Sequence, residues 1–204
     1  VVKVDRVEWI TMPDAQTAVN ALQSGDIDLV ESPSLDIASV LKQDKELHVE
    51  VLNKLGFVTI GRMNFLYPPF DNPKVRRAAL IAMSQKPVLD ALVGNPDYYK
   101  LCGAIFGCGT PLATDVGSGP VMKGDDMAAA KKALAESGYD GTPVVLMAPG
   151  DVVTLKAQPI VAAQLLREAG FKVDVQATDW QTVVSRRAIQ KPPSEGGWNL
   201  FFTN

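Results

Sequence analysis

One proline-rich corner constrains this chain more than any other stretch. Within Tyr67-Pro68-Pro69-Phe70-Asp71-Asn72-Pro73-Lys74-Val75-Arg76-Arg77-Ala78-Ala79-Leu80-Ile81-Ala82-Met83 the backbone rules change over a few residues. Up to Phe65 the pattern suits a strand. Pro68-Pro69 then excludes both a helix interior and a central strand, because each proline fixes φ and removes a hydrogen-bond donor. Asn72 offers its side chain to free helix amides, and Pro73 suits the first helical position. Val75, Ala78, Ala79, Ala82 and Met83 then recur at helical spacing as one apolar stripe. The expectation is a stiff junction between an extended segment and an amphipathic helix, and an ordinary strand-to-helix corner suffices to explain it.

The 204 residues can hold one large domain or parts of two. A net charge of -3 gives no general attraction to nucleic acid or anionic lipid, and no apolar run reaches the length of a membrane span. Val1-Val2-Lys3-Val4 opens on strand-like residues without an initiator methionine or a signal-peptide pattern. An interior fragment or a processed form is expected, so the missing signal says nothing of compartment.

Cys102 and Cys108 are the only cysteines, in Leu101-Cys102-Gly103-Ala104-Ile105-Phe106-Gly107-Cys108-Gly109. The glycines let this stretch curl, so a disulfide is geometrically easy; in the chain-entropy model so short a loop contributes roughly 2 kcal/mol. Two buried thiols remain the other reading, and a bridge would indicate an oxidising compartment. His48 is the lone histidine and lies far away, so a zinc site is not expected.

Along the chain, Val4 to Thr11 reads as a strand. Pro13-Asp14 opens a helix bearing Ala15, Val19 and Leu22, which Gly25 ends. Asp26 to Val30 alternates as a short half-buried strand, with Asp26 and Asp28 on one solvated face rather than as a catalytic pair. Ser34 caps a helix with Ile37, Val40 and Leu41 on one side. Leu47 to Phe65 is extended, and Gly56 and Gly61 leave room for a bend or for another backbone or ligand; this is the candidate crossing between two structural units. His48, among Leu47, Val49 and Val51, reads as a structural or surface residue.

Ser84 caps a helix from Gln85 to Val93, with Val88, Leu89 and Leu92 as its apolar side, and Gly94-Asn95-Pro96 stops it. Residues 95–124 read as loop, long enough to need a staple, a surface to pack on, or a function. Asp125 or Asp126 begins a helix through Glu136, closed by Gly138. Val144 to Met147 is a buried strand, Thr154 to Ala169 a helix capped by Gly170, and Phe171 to Val175 an alternating strand. Together they form a β-α-β unit with a right-handed crossover. Thr178-Asp179-Trp180 leads into a helix through Val183 and Ile189, residues 191–197 are a surface loop, and Trp198 to Phe202 is a last strand.

No glycine-rich phosphate loop, metal-ligand cluster or Ser-His-Asp setting is present in the sequence, and no cofactor is implied. Arg76-Arg77 and Arg186-Arg187 read as solvated helix faces. The one loop with binding geometry is Pro149-Gly150-Asp151, after a strand and before a helix, where open α/β sheets line their ligand crevice. Amides at that helix start suit a carboxylate, although a simple connection would look the same.

Four stretches in order resemble the extracellular solute-binding proteins of family 5, the peptide- and nickel-binding class that serves ABC importers. Ala21-Leu22-Gln23-Ser24-Gly25-Asp26-Ile27-Asp28 is similar to the family's "aLqsGeiDl". Met63-Asn64-Phe65 with Pro68 to Ala78 resembles "lNf...pPFdnvkvRqAl", the most specific match. Ala130 to Tyr139 resembles "AkkLLaeAGy", and Ala163 to Val175 resembles "iqqqLkkiGikvel". Ser84 departs from the aspartate usual before the second helix, but serine caps equally well.

The resemblance implies a type II periplasmic binding-protein fold of class α/β, with a mixed sheet flanked by helices. The two lobes close on a ligand without catalysis, in the periplasm, or outside the cell on the membrane where there is no outer membrane. Residues 1–55 would end the first lobe, 56–66 would cross between lobes, and 67–204 would form most of a truncated second lobe. The implied partners are a peptide or other small solute and the ABC permease subunits, with the binding protein a monomer and nucleic acid no partner. The family meets the peptide amino group with an aspartate shortly after a Trp-containing strand; Trp198 to Phe202 resembles the approach to it, and Asn204 precedes it. The expected ligand-side residues are Gly56, Phe57 and Asn64 near the hinge, and Pro149, Gly150, Asp151 and Trp180 near the cleft. The fragment alone is expected to bind peptide poorly. The competing readings are a cytoplasmic α/β enzyme domain with its active site elsewhere, which predicts two free thiols, and a sensor domain derived from the binding-protein fold.

Overall fold

A computed structural model describes residues 3–122 and 126–204, so the strand-like opening at Val1-Val2 and the helix start at Asp125 lie outside the described residues. The chain divides into two units, Val1–Leu52 and Asn53–Asn204.

In the first unit Asp14 and the apolar spacing behind it produce α1 (Ala15–Ser24). The Asp14 carboxylate accepts from the Thr17 amide and hydroxyl, each at 2.8 Å, and these bonds hold its pKa below the ordinary carboxylate value. Gly25 follows in the left-handed region. Ser34 precedes α2 (Leu35–Leu41) but makes no side-chain cap bond. Among the described residues Val19, Ala38 and Leu41 are buried; of the side expected on α2, Leu41 is buried and Ile37 half-buried, whereas Val40 is exposed and Ala38 takes its place inside. Neither predicted strand forms: Val4 to Thr11 and Asp26 to Val30 are irregular, and Trp9 is 84% and Leu29 70% exposed. An alternating pattern becomes a strand only beside a partner that takes its backbone hydrogen bonds, and no strand forms among the described residues of this unit. His48 is exposed and faces Glu50 at 3.4 Å.

In the second unit the elements run β1 (Ile60–Met63), α3 (Pro73–Ala82), α4 (Gln85–Val93), α5 (Gly119–Met122), α6 (Met127–Ala135), β2 (Val144–Pro149), α7 (Ala157–Ala169), β3 (Val173–Thr178), α8 (Trp180–Arg186) and β4 (Leu200–Thr203). The strands form one mixed sheet in the order β1-β4-β2-β3. β2 is parallel to β3, with Leu146 opposite Val175, and to β4, with Leu146 opposite Leu200. β1 is antiparallel to β4, with Ile60 opposite Thr203. Every residue of β2 is buried, as expected of a central strand read from a continuous apolar run. One core gathers Val144, Leu146, Leu200 and Phe202 from the sheet with the inner faces of α3, α6 and α7. A smaller cluster holds Met147, Val183, Trp198 and Phe201, with Trp180 packed against it. The expected extended run from Leu47 to Phe65 is a strand only at β1, and the helix expected from Thr154 begins three residues later because Val152 to Lys156 turns first. α8 ends before Ile189.

The proline corner forms as its chemistry predicts. Asn72 accepts from the Lys74 amide at 2.9 Å, Pro73 occupies the first turn, and Val75, Ala78, Ala79 and Ala82 are the buried stripe of α3. The Pro68-Pro69 peptide is cis. Phe70 is fully buried, a contribution of about 1.5–3 kcal/mol relative to an exposed ring.

Two asparagines fasten this corner to the start of β4. The Asn64 amide donates to Asn199 O at 2.8 Å, and its side chain donates to Trp198 O at 2.9 Å while accepting from Leu66 N at 3.1 Å. Asn199, with no exposed surface, accepts from Val145 N at 2.9 Å and donates to Pro68 O at 3.0 Å.

One arginine of each pair is more than a solvated charge, while Arg77 and Arg187 are exposed as expected. Arg76 donates to Phe70 O at 2.6 Å and Asp71 O at 3.0 Å, and lies 4.3 Å from the centre of the Phe65 ring. Arg186 donates to Gly196 O, Gly197 O and Gln176 Oε1 at 3.2, 2.8 and 2.8 Å. Both guanidiniums fold back onto carbonyls left free by neighbouring turns.

Candidate functional site

Strand direction decides which residues meet. Because β2, β3 and β4 are parallel and β1 is antiparallel to β4, the ends of three strands and the beginning of β1 share one edge of the sheet. In open α/β sheets the loops beyond such an edge form the ligand crevice. Gly150 leaves β2 there and donates to Thr178 O at 3.0 Å. Asp151 accepts from Trp180 N at 2.9 Å, joining the loop after β2 to the first residue of α8. Asp179 caps that helix through the Thr182 hydroxyl and amide at 2.7 and 2.8 Å, bonds that lower its pKa, the hydroxyl bond foremost.

At the other side of this edge Asn204 links the approach to β1 with the turn before α7. It accepts from the Thr59 hydroxyl at 2.9 Å and donates to Thr154 Oγ1 at 3.1 Å. Gly56 and Phe57 lead into β1 from here. Gly56 closes a turn in the left-handed region (φ 77°), which exempts glycine from the steric cost a side chain would meet, and Phe57 is 82% exposed.

Six of the seven residues expected on the ligand side therefore belong to one edge: Gly56, Phe57, Pro149, Gly150, Asp151 and Trp180. Within that edge Pro149 is fully buried, leaving Gly150 and Asp151 as the outward part of their loop. Asn64 lies beyond the opposite end of β1, buried, with its side chain bonded into the corner. Thr59, Thr154 and Asn204 escaped sequence reasoning. Asn204 follows β4, Thr59 precedes β1 and Thr154 lies in the turn between β2 and α7, so only the strand order brings the three together.

The long loop is stapled: Cys102 and Cys108 form a disulfide with Cα atoms 5.7 Å apart. Among the described residues no group of three or more His, Cys, Asp or Glu side chains is placed to hold a metal, and no helix is long and apolar enough to cross a membrane. What the edge offers is hydrogen-bonding backbone, hydroxyl, amide and carboxylate groups beside exposed aromatic surface, an arrangement suited to holding a small polar ligand.

The chain belongs to the bacterial extracellular solute-binding proteins, family 5, whose model matches residues 1–204. It is 36% identical over its whole length to the probable peptide ABC transporter periplasmic-binding protein y4tO of Sinorhizobium fredii, of which it covers 39%. It is 26% identical to the glutathione-binding protein GsiB of Salmonella typhi over 98% of this chain and 38% of that protein. The fold matches the periplasmic binding protein DppA of Helicobacter pylori, solved with the peptide STSA, at a TM-score of 0.73 and 18% identity over 95% of this chain and 35% of that one. It also matches the ABC transporter substrate binding protein CtaP of Listeria monocytogenes at a TM-score of 0.71 and 20% identity over 94% of this chain and 38% of that one. The chain thus spans about two fifths of the length of these relatives.

Proposed function

We propose that this chain is part of the substrate-binding component of an ABC importer, working outside the inner membrane, and that the whole protein captures peptides by closing two lobes. The observation that carries the reading is the family match over residues 1–204 together with 36% identity to a protein described as a peptide ABC transporter component. The first unit belongs to one lobe, the segment around β1 crosses between lobes, and the sheet with its helices is the body of the other. Gly56, Phe57, Gly150, Asp151 and Trp180 face the cleft, while Asn64 and Pro149 support it from within.

Such a protein needs no bond-making chemistry. Ligand contacts made in the closed form and absent from the open one shift the population toward closure, and the permease subunits read the closed shape. Calorimetry of the full-length protein with di-, tri- and longer peptides tests this. Saturable binding to one length class is the expected result. No heat with any of them, and no domain closure by small-angle scattering, would refute peptide capture.

A further inference from the structure

The disulfide loop stands directly behind the turn that presents Phe57. Its Cys102 end is anchored: the Gln85 side chain at the start of α4 donates to Cys102 O at 2.5 Å and accepts from Cys102 N at 2.8 Å. Gly103 is pressed close to Ser118 and Met122, where an added Cβ would clash with Ser118 Cβ and lie 2.9 Å from Met122 Cγ. The Cys108 end reaches the other way. Gly107 is buried, and a Cβ there would lie 3.4 Å from Val58 Cγ2; one on Gly109 would lie 3.8 Å from Leu55 Cδ2. Leu55 and Val58 flank Gly56-Phe57 on either side.

Apart from this support the turn has little to hold it. Asn53 accepts from Leu55 N at 3.2 Å and donates to Gly56 O at 3.0 Å, and Gly56 N donates to Asn53 O at 3.2 Å. These bonds span at most three residues, and the two from the side chain are solvent-exposed; such bonds belong to the least stable part of a fold. The S–S bond is the short covalent link between the anchored end of the loop and the end that leans on the turn. Cys108 is exposed and Cys102 half-buried, so a small thiolate can reach the bridge.

We propose that the Cys102–Cys108 loop is a positioning element for the turn at Gly56-Phe57, and that reducing this disulfide weakens ligand capture by releasing the turn. The inference rests on the reading of Phe57 as cleft-facing. The chemistry is thiol–disulfide exchange: a dithiol such as dithiothreitol attacks one sulfur, forms a mixed disulfide, and cyclises to its own disulfide. Two electrons and two protons pass to the protein, which gains two thiols.

The test uses the full-length protein in three forms: oxidised, reduced with dithiothreitol, and carrying C102S/C108S, which isolates this pair from any other reducible site. Hydrogen exchange is followed in peptides covering residues 53–60 and 157–178, and peptide affinity by calorimetry. The expected result is about tenfold faster exchange across 53–60, unchanged exchange across 157–178, and a several-fold loss of affinity. Unchanged exchange across 53–60 in both forms that lack the bridge would overturn the proposal, as would equal acceleration in both segments, since the disulfide would then be a general staple. If the oxidised protein binds no peptide, the functional reading fails, while the exchange data still decide whether the loop positions the turn.

Discussion

Asn199 carries a quantitative prediction. Its side chain has no exposed surface and satisfies two groups at once, the amide of Val145 inside β2 and the carbonyl of Pro68 in the corner. Asn199→Leu keeps the approximate volume and removes both bonds. The Val145 amide is then buried without a partner, a cost of about 1–3 kcal/mol, and losing the bond to the more accessible Pro68 carbonyl adds about 1 kcal/mol. The sum is a loss of about 2–4 kcal/mol. Asn199→Asp separates the two contributions, because a carboxylate still accepts from Val145 but only the protonated acid can donate to Pro68. Burial raises the folded-state pKa of such an acid above its unfolded value near 3.9. Its contribution is therefore fully present below that unfolded value and is lost as pH rises through the raised one, so N199D recovers toward wild type on acidification from pH 7. Urea unfolding followed by tryptophan fluorescence at pH 7 and pH 5 measures both effects. An N199L protein within about 0.5 kcal/mol of wild type, or N199D more impaired at pH 5 than at pH 7, would refute the reasoning.

Three further outcomes follow from the same geometry. Gly197→Ala drives a Cβ into Lys191 O, a backbone atom that cannot step aside, so thermal unfolding should show a loss of at least about 2 kcal/mol. Arg186→Lys cannot reproduce a planar fork over three acceptors; a loss of about 1.5–3 kcal/mol is expected, with proteolysis first appearing in the 191–197 loop. Asp179, whose pKa is lowered by its bonds to Thr182, stabilises the start of α8 above the ordinary carboxylate pKa and loses that effect as pH falls through the depressed value. Asp179→Asn caps without titrating, so near-ultraviolet circular dichroism of the tryptophans should lose its acid transition in D179N, and an unchanged transition would count against the cap.

The sequence was informative where structure is decided locally. Asn72-Pro73 with the stripe behind it specified α3, the alternation of Val173-Asp174-Val175 specified β3, and the glycine-flanked cysteines permitted their bridge. It misled where the deciding partner is remote. Val4 to Thr11 has the alternation of a strand, but alternation does not supply the neighbour a strand needs. Arg186 looked like a surface charge because nothing local to α8 announces that Gly196 O and Gly197 O turn toward it. The candidate edge was half legible: Pro149-Gly150-Asp151 could be read from its place between strand and helix. Thr59 and Asn204 could not, since they meet only after β4 takes its place beside β1.

That strand order also sets a timetable. β4 is the last of the four strands to leave the ribosome, yet it is the one that lies between β1 and β2. Among the described residues β1 pairs only with β4, so until Leu200 to Thr203 is available β1 lacks that partner and β2 presents one open edge. Pairing Ile60 with Thr203 is a late, long-range event, the kind that slows folding and leaves apolar edges exposed meanwhile. Any stretch of chain made before β4 must therefore be kept from premature association until Leu200 to Thr203 is available.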